Sequence, residues 1–125
     1  MIELDFFQPS DKYGVIKATV HKTGKLGFSS GADKLMELNS RTFFLVGNNK
    51  NDSQDDSLYL VPTEDDSDNS FKLSKAGDYY YINIKSVLRQ LKINYKHESI
   101  IYDIEEIENE NDDNVYYKLL RRDRK

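Results

Sequence analysis

Basic side chains gather around a glycine turn near the start of the chain, where Lys22 and Lys25 flank Gly24. A matching turn at Gly77 follows Lys75. Ammonium groups and backbone N–H groups at a hairpin tip are suitable donors for the phosphates of a nucleic acid. The candidate DNA contacts in and around the two turns are Lys17, His21, Lys22, Lys25, Lys72 and Lys75. The alternative is a pair of solvated turns whose lysines keep the protein soluble.

A run of three tyrosines, Tyr79–Tyr81, has two interpretations. Tyrosine rings on a surface stack on the bases of single-stranded nucleic acid. Such a run is also typical of a half-buried strand. We favour the strand, and we then expect Tyr79 and Tyr81 to face inward and Tyr80 to face solvent.

Other motifs that carry chemistry are incomplete in this chain. Lys22–Gly24 matches the Lys-Thr-Gly triplet of penicillin-binding enzymes, but no Ser-x-x-Lys nucleophile motif accompanies it. Gly24 and Lys25 do not belong to a phosphate-binding P-loop, because Thr19 stands where that motif has glycine. The two histidines, His21 and His97, lack the paired spacing of metal ligands. We therefore expect no enzymatic activity, no catalytic residues, no metal site and no cofactor.

Charge is distributed unevenly along the chain. The formal net charge is −4, yet fourteen of the 22 acidic residues lie in residues 51–69 and 103–114, which hold no Lys or Arg. Residues 17–50 and 70–102 each hold six Lys or Arg against two acids. This pattern is compatible with DNA binding, since the local field attracts a polyanion. The acidic stretches lack the glycine and glutamate positions of a calcium loop, so we interpret them as solvated loops. A second interpretation is that an acidic loop competes with DNA for the lysines.

Composition indicates a globular protein. The 125 residues are 38% hydrophobic and include nine Tyr and six Phe, which suits one domain or two half-size units that share a core. The chain has no Cys, which fits a reducing compartment. It has no apolar run of membrane-spanning length, and its first residues do not form a signal-peptide pattern. We therefore expect a cytoplasmic location and no membrane partner.

A short pattern occurs twice in the chain, at a constant offset of 53 residues. The matched pairs are Lys22 with Lys75, Gly24 with Gly77, Leu35 with Leu88, and Leu38 with Leu91. Each copy is predicted to form a strand, a glycine turn, a strand, a short helix, a strand, an acidic loop and a final strand. The acidic loops are residues 48–57 and 105–114, and we expect both to be mobile. A repeat of this length indicates one structural unit that occurs twice, so the fold is predicted as two copies of that unit.

Several local signals complete the secondary-structure prediction. Ile2, Leu4 and Phe6 alternate with acidic residues and predict an N-terminal strand that ends before Pro9. Ser29 or Ser30 is a suitable N-cap for the first helix, and Asn83 is the candidate cap of the second. The helix leucines of both copies are predicted to face the core.

The unit from His21 to Leu38, followed by strands at Phe43–Val46 and Leu58–Val61, resembles the swapped-hairpin barrels of the AbrB, MazE and MraZ families. Lys25 stands where those families usually have Arg, and Asp78 occupies that position in the second copy. The resemblance covers about residues 15–120 and implies that two units interleave into one barrel. It also implies DNA binding through basic residues of the first hairpin, often in antitoxins or transition regulators.

The sequence therefore predicts a mainly β fold with short helices (α+β), built from two tandem ββαββ repeats that form one pseudo-twofold barrel. The predicted segments are an N-terminal arm at 1–14, repeats at 15–69 and 70–120, and a charged tail at 121–125. The predicted function is a small DNA-binding transcription regulator or antitoxin-like protein, with double-stranded DNA and a protein as partners. The alternative is a protein–protein interaction module with no nucleic-acid or catalytic role. Homo-oligomerisation stays open, because the repeats can close one barrel within a chain or swap between chains.

Overall fold

The computed structural model describes residues 2–6, 14–108 and 115–122. Within these ranges the chain forms nine strands, two α-helices and one 3-10 helix. In chain order the elements are β1 (Lys17–Val20), β2 (Lys25–Phe28), α1 (Ser30–Met36), the 3-10 helix (Leu38–Ser40), β3 (Phe43–Gly47), β4 (Leu58–Thr63), β5 (Ser70–Lys72), β6 (Ser74–Ala76), β7 (Tyr79–Asn83), α2 (Lys85–Gln90), β8 (Ile100–Glu108) and β9 (Val115–Arg121). None of these helices is long and apolar enough to cross a membrane.

All nine strands join one antiparallel sheet in the order β5-β3-β4-β9-β8-β1-β2-β7-β6. The two end strands, β5 and β6, are separated along the chain only by Leu73. The Leu73 N–H donates to the carbonyl of Thr42 at 2.9 Å, which ties this junction to the segment before β3. The sheet therefore curves into a nearly closed barrel, and the predicted mainly β fold with short helices is confirmed at that level.

Alternation along the strands fills the barrel with apolar side chains. Ala18 and Val20 of β1 are buried, as are Leu26 and Phe28 of β2. The largest fully buried side chains elsewhere include Phe44, Leu60, Tyr102 and Tyr117. Because side chains of a strand point alternately to its two faces, the positions between these residues face outward and carry the surface chemistry.

Both helices are short, and each buries one face against the sheet. The Ala32 N–H donates to Ser29 Oγ at 3.2 Å, so Ser29 is the N-cap of α1 as predicted. Met36 of α1 and Leu88 of α2 are fully buried. Asn83 Oδ1 accepts from the Lys85 N–H at 3.1 Å, although the capping position itself is Ile84. A short polar side chain thus supports each helix start.

Two predictions about inward-facing residues are wrong. Leu91 is 39% exposed, because α2 ends at Gln90 and the chain turns away from the core there. The predicted alternation of the three tyrosines is reversed, because the fully buried Ile82 sets the phase of β7. Tyr80 packs against the core, whereas Tyr79, which is 38% exposed, and Tyr81, which lies opposite Gly27, face outward. Leu38 is fully buried as predicted, and Leu35 is half-buried.

The predicted N-terminal strand is also wrong for the residues that the structure describes. Residues 2–6 form no strand, and Ile2, Leu4 and Phe6 are all exposed. Apolar alternation alone does not make a strand when no neighbouring strand supplies hydrogen bonds. The predicted break at Pro9 lies outside the described residues.

The second acidic loop is shorter than predicted. Residues 105–108 belong to β8, where Glu105 lies opposite Lys118 of β9 and their charges are complementary. Residues 109–114 lie outside the described residues. Residues 48–57 form a loop between β3 and β4 as predicted. The predicted C-terminal tail begins at residue 121, but Arg121 is the last residue of β9. Residues 123–125 lie outside the described part of the chain.

Candidate nucleic-acid interface

Two stretches of the chain, residues 14–32 and 79–97, contain no Asp or Glu. The fold places them side by side, because β2 of the first stretch pairs with β7 of the second and Gly27 lies opposite Tyr81. We call the surface formed by these two stretches the basic face. Its charged and imidazole side chains are Lys17, His21, Lys22, Lys25, Lys85, Arg89, Lys92, Lys96 and His97.

The turn between β1 and β2 is built around Gly24. Gly24 has a φ of +90°, a conformation that favours glycine. Its N–H donates to the His21 carbonyl at 2.9 Å, and the His21 N–H donates to the Lys25 carbonyl at 2.8 Å. A Cβ at Gly24 would lie 2.8 Å from Lys85 Cβ, so the absence of a side chain allows α2 to begin directly against the turn. Lys85 therefore joins the lysines of the turn.

His21 and Tyr79 meet over the outer side of β2. His21 Nε2 lies 2.5 Å from the Tyr79 hydroxyl oxygen, and the two rings meet edge to face with centroids 5.9 Å apart. Both side chains lie over Gly27, where an added Cβ would collide with the Tyr79 hydroxyl oxygen. The lack of a side chain at Gly27 thus makes room for an exposed aromatic pair at the centre of the basic face.

A second aromatic contact lies beside this pair. Lys25 Nζ lies 4.6 Å from the centroid of the Tyr81 ring, within the range of a cation–π interaction. The outer side of β1, β2 and β7 therefore alternates cationic groups with tyrosine rings. Cationic groups attract phosphates, and tyrosine rings offer flat surfaces for bases or sugars.

Lys17 stands at the margin of the basic face. It lies opposite Asp103 of β8, and Asp103 is ion-paired with Arg122 at 2.6 Å. The backbone N–H of Lys17 donates to Ser29 Oγ at 3.0 Å, which links β1 to the start of α1. The Asp103 charge is thus offset by Arg122 where it borders the face.

Lys72 and Lys75, the two candidate DNA contacts near the second turn, lie outside the basic face, which holds the other four candidates. Lys75 Nζ lies 5.1 Å from the centroid of the Tyr80 ring, in a cleft of about 300 Å³ that Asp33, Glu37 and Asp78 also line. Lys72 lies on β5 opposite Phe43 and is exposed. Acidic neighbours weaken the attraction of Lys75 for phosphate, so the two turns are not equivalent.

Sequence inspection did not select five residues of this surface: Lys85, Arg89, Lys92, Lys96 and His97. Lys96 and His97 line a cleft of about 510 Å³ together with His21 and Lys22 of the first turn. The signal that identifies them is the absence of acids from residues 79–97, which is visible in the sequence but has no meaning until β7 is paired with β2. Among the described residues, no group of three or more His, Asp or Glu side chains is placed to hold a metal ion.

Two acidic residues outside the basic face accept hydrogen bonds from neighbouring residues. Glu98 Oε2 accepts from Arg121 Nη2 at 3.2 Å. In the loop between β3 and β4, Asp55 accepts from the Tyr59 hydroxyl at 2.6 Å and from the Ser57 N–H at 3.0 Å. These hydrogen bonds, that of Tyr59 first, hold the pKa of Asp55 well below its usual range. Asp55 therefore keeps its charge and orders its own loop.

Comparison with known proteins gives no relative for this chain. No protein-family model matches it, and no curated protein or solved structure does. A function therefore has to be inferred from the charges and contacts of the residues themselves.

Proposed function

We propose that this protein is a small DNA-binding protein of the regulatory or antitoxin-like kind, and that it binds DNA on the basic face. The observation that carries the proposal is the juxtaposition of two acid-free stretches, residues 14–32 and 79–97, in a chain whose net charge is −4. A surface of one sign attracts a polyanion even when the whole protein repels it.

We further propose that the fold is a swapped-hairpin barrel of the AbrB, MazE and MraZ kind, made from two tandem units. The strand order supports this, because β4 lies beside β9 and β2 lies beside β7, so equivalent strands of the two halves are neighbours. In the first unit, β1 pairs with β2 of its own unit and with β8 of the other. In the second unit, β5 and β6 together take the place of β1, since β6 pairs with β7 of its own unit and β5 pairs with β3 of the other. The turns differ, since His21–Gly24 separate β1 from β2 whereas only Gly77 and Asp78 separate β6 from β7. The second turn also carries Asp78 close to Lys75, so only the first turn contributes to the basic face.

Binding on this surface divides into two kinds of contact. Lys22, Lys25 and Lys85 reach phosphates, which sets the position of the DNA and carries most of the affinity. The rings of Tyr79 and Tyr81 face the sugars and bases between those phosphates. Three to five phosphate contacts correspond to a slope of log K against log salt of about −3 to −5.

Binding of a mixed-sequence duplex, measured by fluorescence anisotropy at several salt concentrations, tests the proposal. We expect affinity to fall steeply with salt. Lys22→Glu combined with Lys25→Glu is expected to weaken binding on all sequences and to flatten the salt slope. Lys34→Glu combined with Lys50→Glu makes the same charge change outside the basic face and is expected to do much less. Absence of binding by the wild-type protein at low salt would exclude the proposal.

One observation favours the alternative, a protein–protein interaction module. Leu45 and Leu91 are 37% and 39% exposed and line a cleft of about 550 Å³ between β3 and α2, together with Phe71 and Val87. Exposed apolar residues around a concave surface are typical of interaction sites. Sedimentation of the wild type against Leu45→Ser/Leu91→Ser tests this function. Self-association that the double variant abolishes, in a protein that does not bind DNA, would favour the alternative.

A further inference from the structure

The cleft of about 510 Å³ lies where the turn between β1 and β2 meets the segment that leads into β8. Its polar lining consists of His21 and Lys22 from the turn and Lys96, His97, Glu98 and Ser99 from the segment. The β1–β8 register, in which Val20 lies opposite Ile100, brings the two parts together. The pairing of β1 with β8 therefore brings both histidines of the chain to one cleft.

The lining offers donors for an anion. Two lysine ammonium groups, two imidazole rings and the Ser99 hydroxyl can all donate hydrogen bonds. The one carboxylate of the lining, that of Glu98, accepts from Arg121 at 3.2 Å, so its charge is offset by a neighbouring cation. Such a set of donors matches the several acceptor oxygens of a phosphate group.

The cleft and the aromatic surface share His21. Nε2 of His21 contacts the Tyr79 hydroxyl at 2.5 Å, which orients the ring, while the same side chain lines the cleft. A phosphate in the cleft would therefore lie next to the tyrosines of the basic face. This is the arrangement needed to hold one phosphate while the adjoining sugar and base contact a ring.

We propose that the cleft between the β1–β2 turn and residues 96–99 is a phosphate-binding site that takes a phosphate group of the bound nucleic acid. The identity of the ligand as nucleic acid rests on the proposed function, whereas the affinity of the cleft for phosphate does not. The phosphate comes either from the end of a strand or from the backbone. The volume of the cleft exceeds that of a phosphate ion and leaves room for the attached sugar.

Titration with inorganic phosphate tests the site directly. Backbone amide signals of the full chain are followed by NMR at constant pH and ionic strength, with chloride as the reference anion. We expect saturable shifts at residues 21, 22 and 96–99 in the wild type. Lys96→Gln is expected to weaken phosphate binding about tenfold, as the loss of one charge-assisted hydrogen bond would. Lys34→Gln removes the same charge at a position outside both the cleft and the basic face, and it is expected to leave phosphate binding unchanged.

Duplexes with and without a 5′-phosphate then distinguish the two sources of the phosphate. Tighter binding of the phosphorylated duplex, lost in Lys96→Gln and His97→Gln, supports a terminal phosphate. Equal binding of both duplexes, weakened equally by these variants, supports a backbone phosphate.

The outcomes for the cleft and for DNA binding are separable. Saturable phosphate shifts in a protein that binds no duplex would keep the phosphate site and exclude the proposed function. Duplex binding without saturable phosphate shifts at the cleft, or phosphate shifts equal in Lys96→Gln and the wild type, would overturn the phosphate site and leave DNA binding in place.

Discussion

Tyr102 places a hydroxyl group in the hydrophobic core. Its side chain is fully buried, and among the described residues its hydroxyl alone is buried without a hydrogen-bond partner. Burial raises the pKa of Tyr102, and the nearby Arg121 opposes that shift. A buried hydroxyl without a partner costs about 1–3 kcal/mol. The rest of the ring packs in the core, so the side chain as a whole still stabilises the fold.

We predict that Tyr102→Phe leaves the free energy of unfolding unchanged or raises it by about 1 kcal/mol, because it removes an unpaired hydroxyl. Urea denaturation checks this. Tyr117→Phe is the matched control, since the Tyr117 hydroxyl accepts from Arg41 at 3.4 Å and its removal is expected to destabilise by about 0.5–1.5 kcal/mol. A clear loss of stability in Tyr102→Phe would show that a bound water satisfies the hydroxyl.

A second prediction at the scale of one residue concerns the carboxylate of Asp55. Hydrogen bonds from Tyr59 and Ser57 lower its pKa from the ordinary value of 3.8. A carboxylate whose pKa is lowered by folding adds stability that is complete above the ordinary value and is lost as the pH falls below it. Asp55→Asn is therefore expected to destabilise the protein at neutral pH, and the difference from the wild type should narrow below about pH 4.

Urea denaturation of both proteins at pH 7 and at pH 3 measures that difference. Asp66→Asn, in the loop between β4 and β5, is the control for a general charge effect. A difference between wild type and Asp55→Asn that stays constant over this range would mean that the carboxylate is not the stabilising group.

At the scale of an element, helical periodicity predicts burial correctly within α2 but not beyond its last residue. Leu88 is fully buried in the middle of the helix, whereas Leu91 follows its last residue and is 39% exposed. The Leu91 N–H still donates to the Val87 carbonyl at 2.9 Å. The segment then leaves the helix at Lys92, whose φ is +57°. The left-handed residue redirects the chain toward Tyr95, which is buried.

Leu88→Ala is predicted to cost about 2–5 kcal/mol of unfolding free energy, the range for a buried leucine. Leu91→Ala makes the same chemical change at an exposed position and is predicted to cost less than about 1 kcal/mol. Urea melts of the two variants provide the comparison. Equal losses in both would show that Leu91 is covered in solution, for example by a second copy of the chain.

At the scale of the whole molecule, opposite charges occupy different parts of one barrel. The basic face lies on β1, β2, β7 and α2, while many acids lie in the loops beside β4 and on β8. Asp56 is close enough to raise the pKa of Tyr102, a residue that lies opposite Ala18 of β1. The loop between β3 and β4 holds three of these acids, Asp52, Asp55 and Asp56.

Neutralising this loop is predicted to strengthen DNA binding at low salt, because the loop's charges repel phosphate. The variant is Asp52→Asn/Asp56→Asn, which leaves the ordering hydrogen bonds of Asp55 in place. Glu64→Gln/Asp65→Asn is the control, since these residues line a different cleft with Arg41 and Thr42. DNA affinity is measured by fluorescence anisotropy. An equal increase in affinity in both double variants would show that net charge alone causes it, and would contradict competition by this loop.

Much of the local structure could be predicted from the sequence because it depends on neighbours along the chain. The turn at Gly24, the cap at Ser29, the alternation in β1 and β2 and the buried Leu88 all follow from local patterns. The mainly β composition with short helices follows from the same signals. The unequal distribution of acids is likewise a property of the amino-acid sequence alone.

Only the tertiary structure decided which of these features are neighbours. Pairing of β2 with β7 joins the two acid-free stretches, and pairing of β1 with β8 brings His21 and His97 to one cleft. The phase of β7 was set by Ile82 in the core, which turned Tyr79 outward against the local pattern. Residues 2–6 alternate as a strand does, yet they stay outside the sheet. Strand pairing joins residues that are distant in sequence, so local patterns carry no information about it.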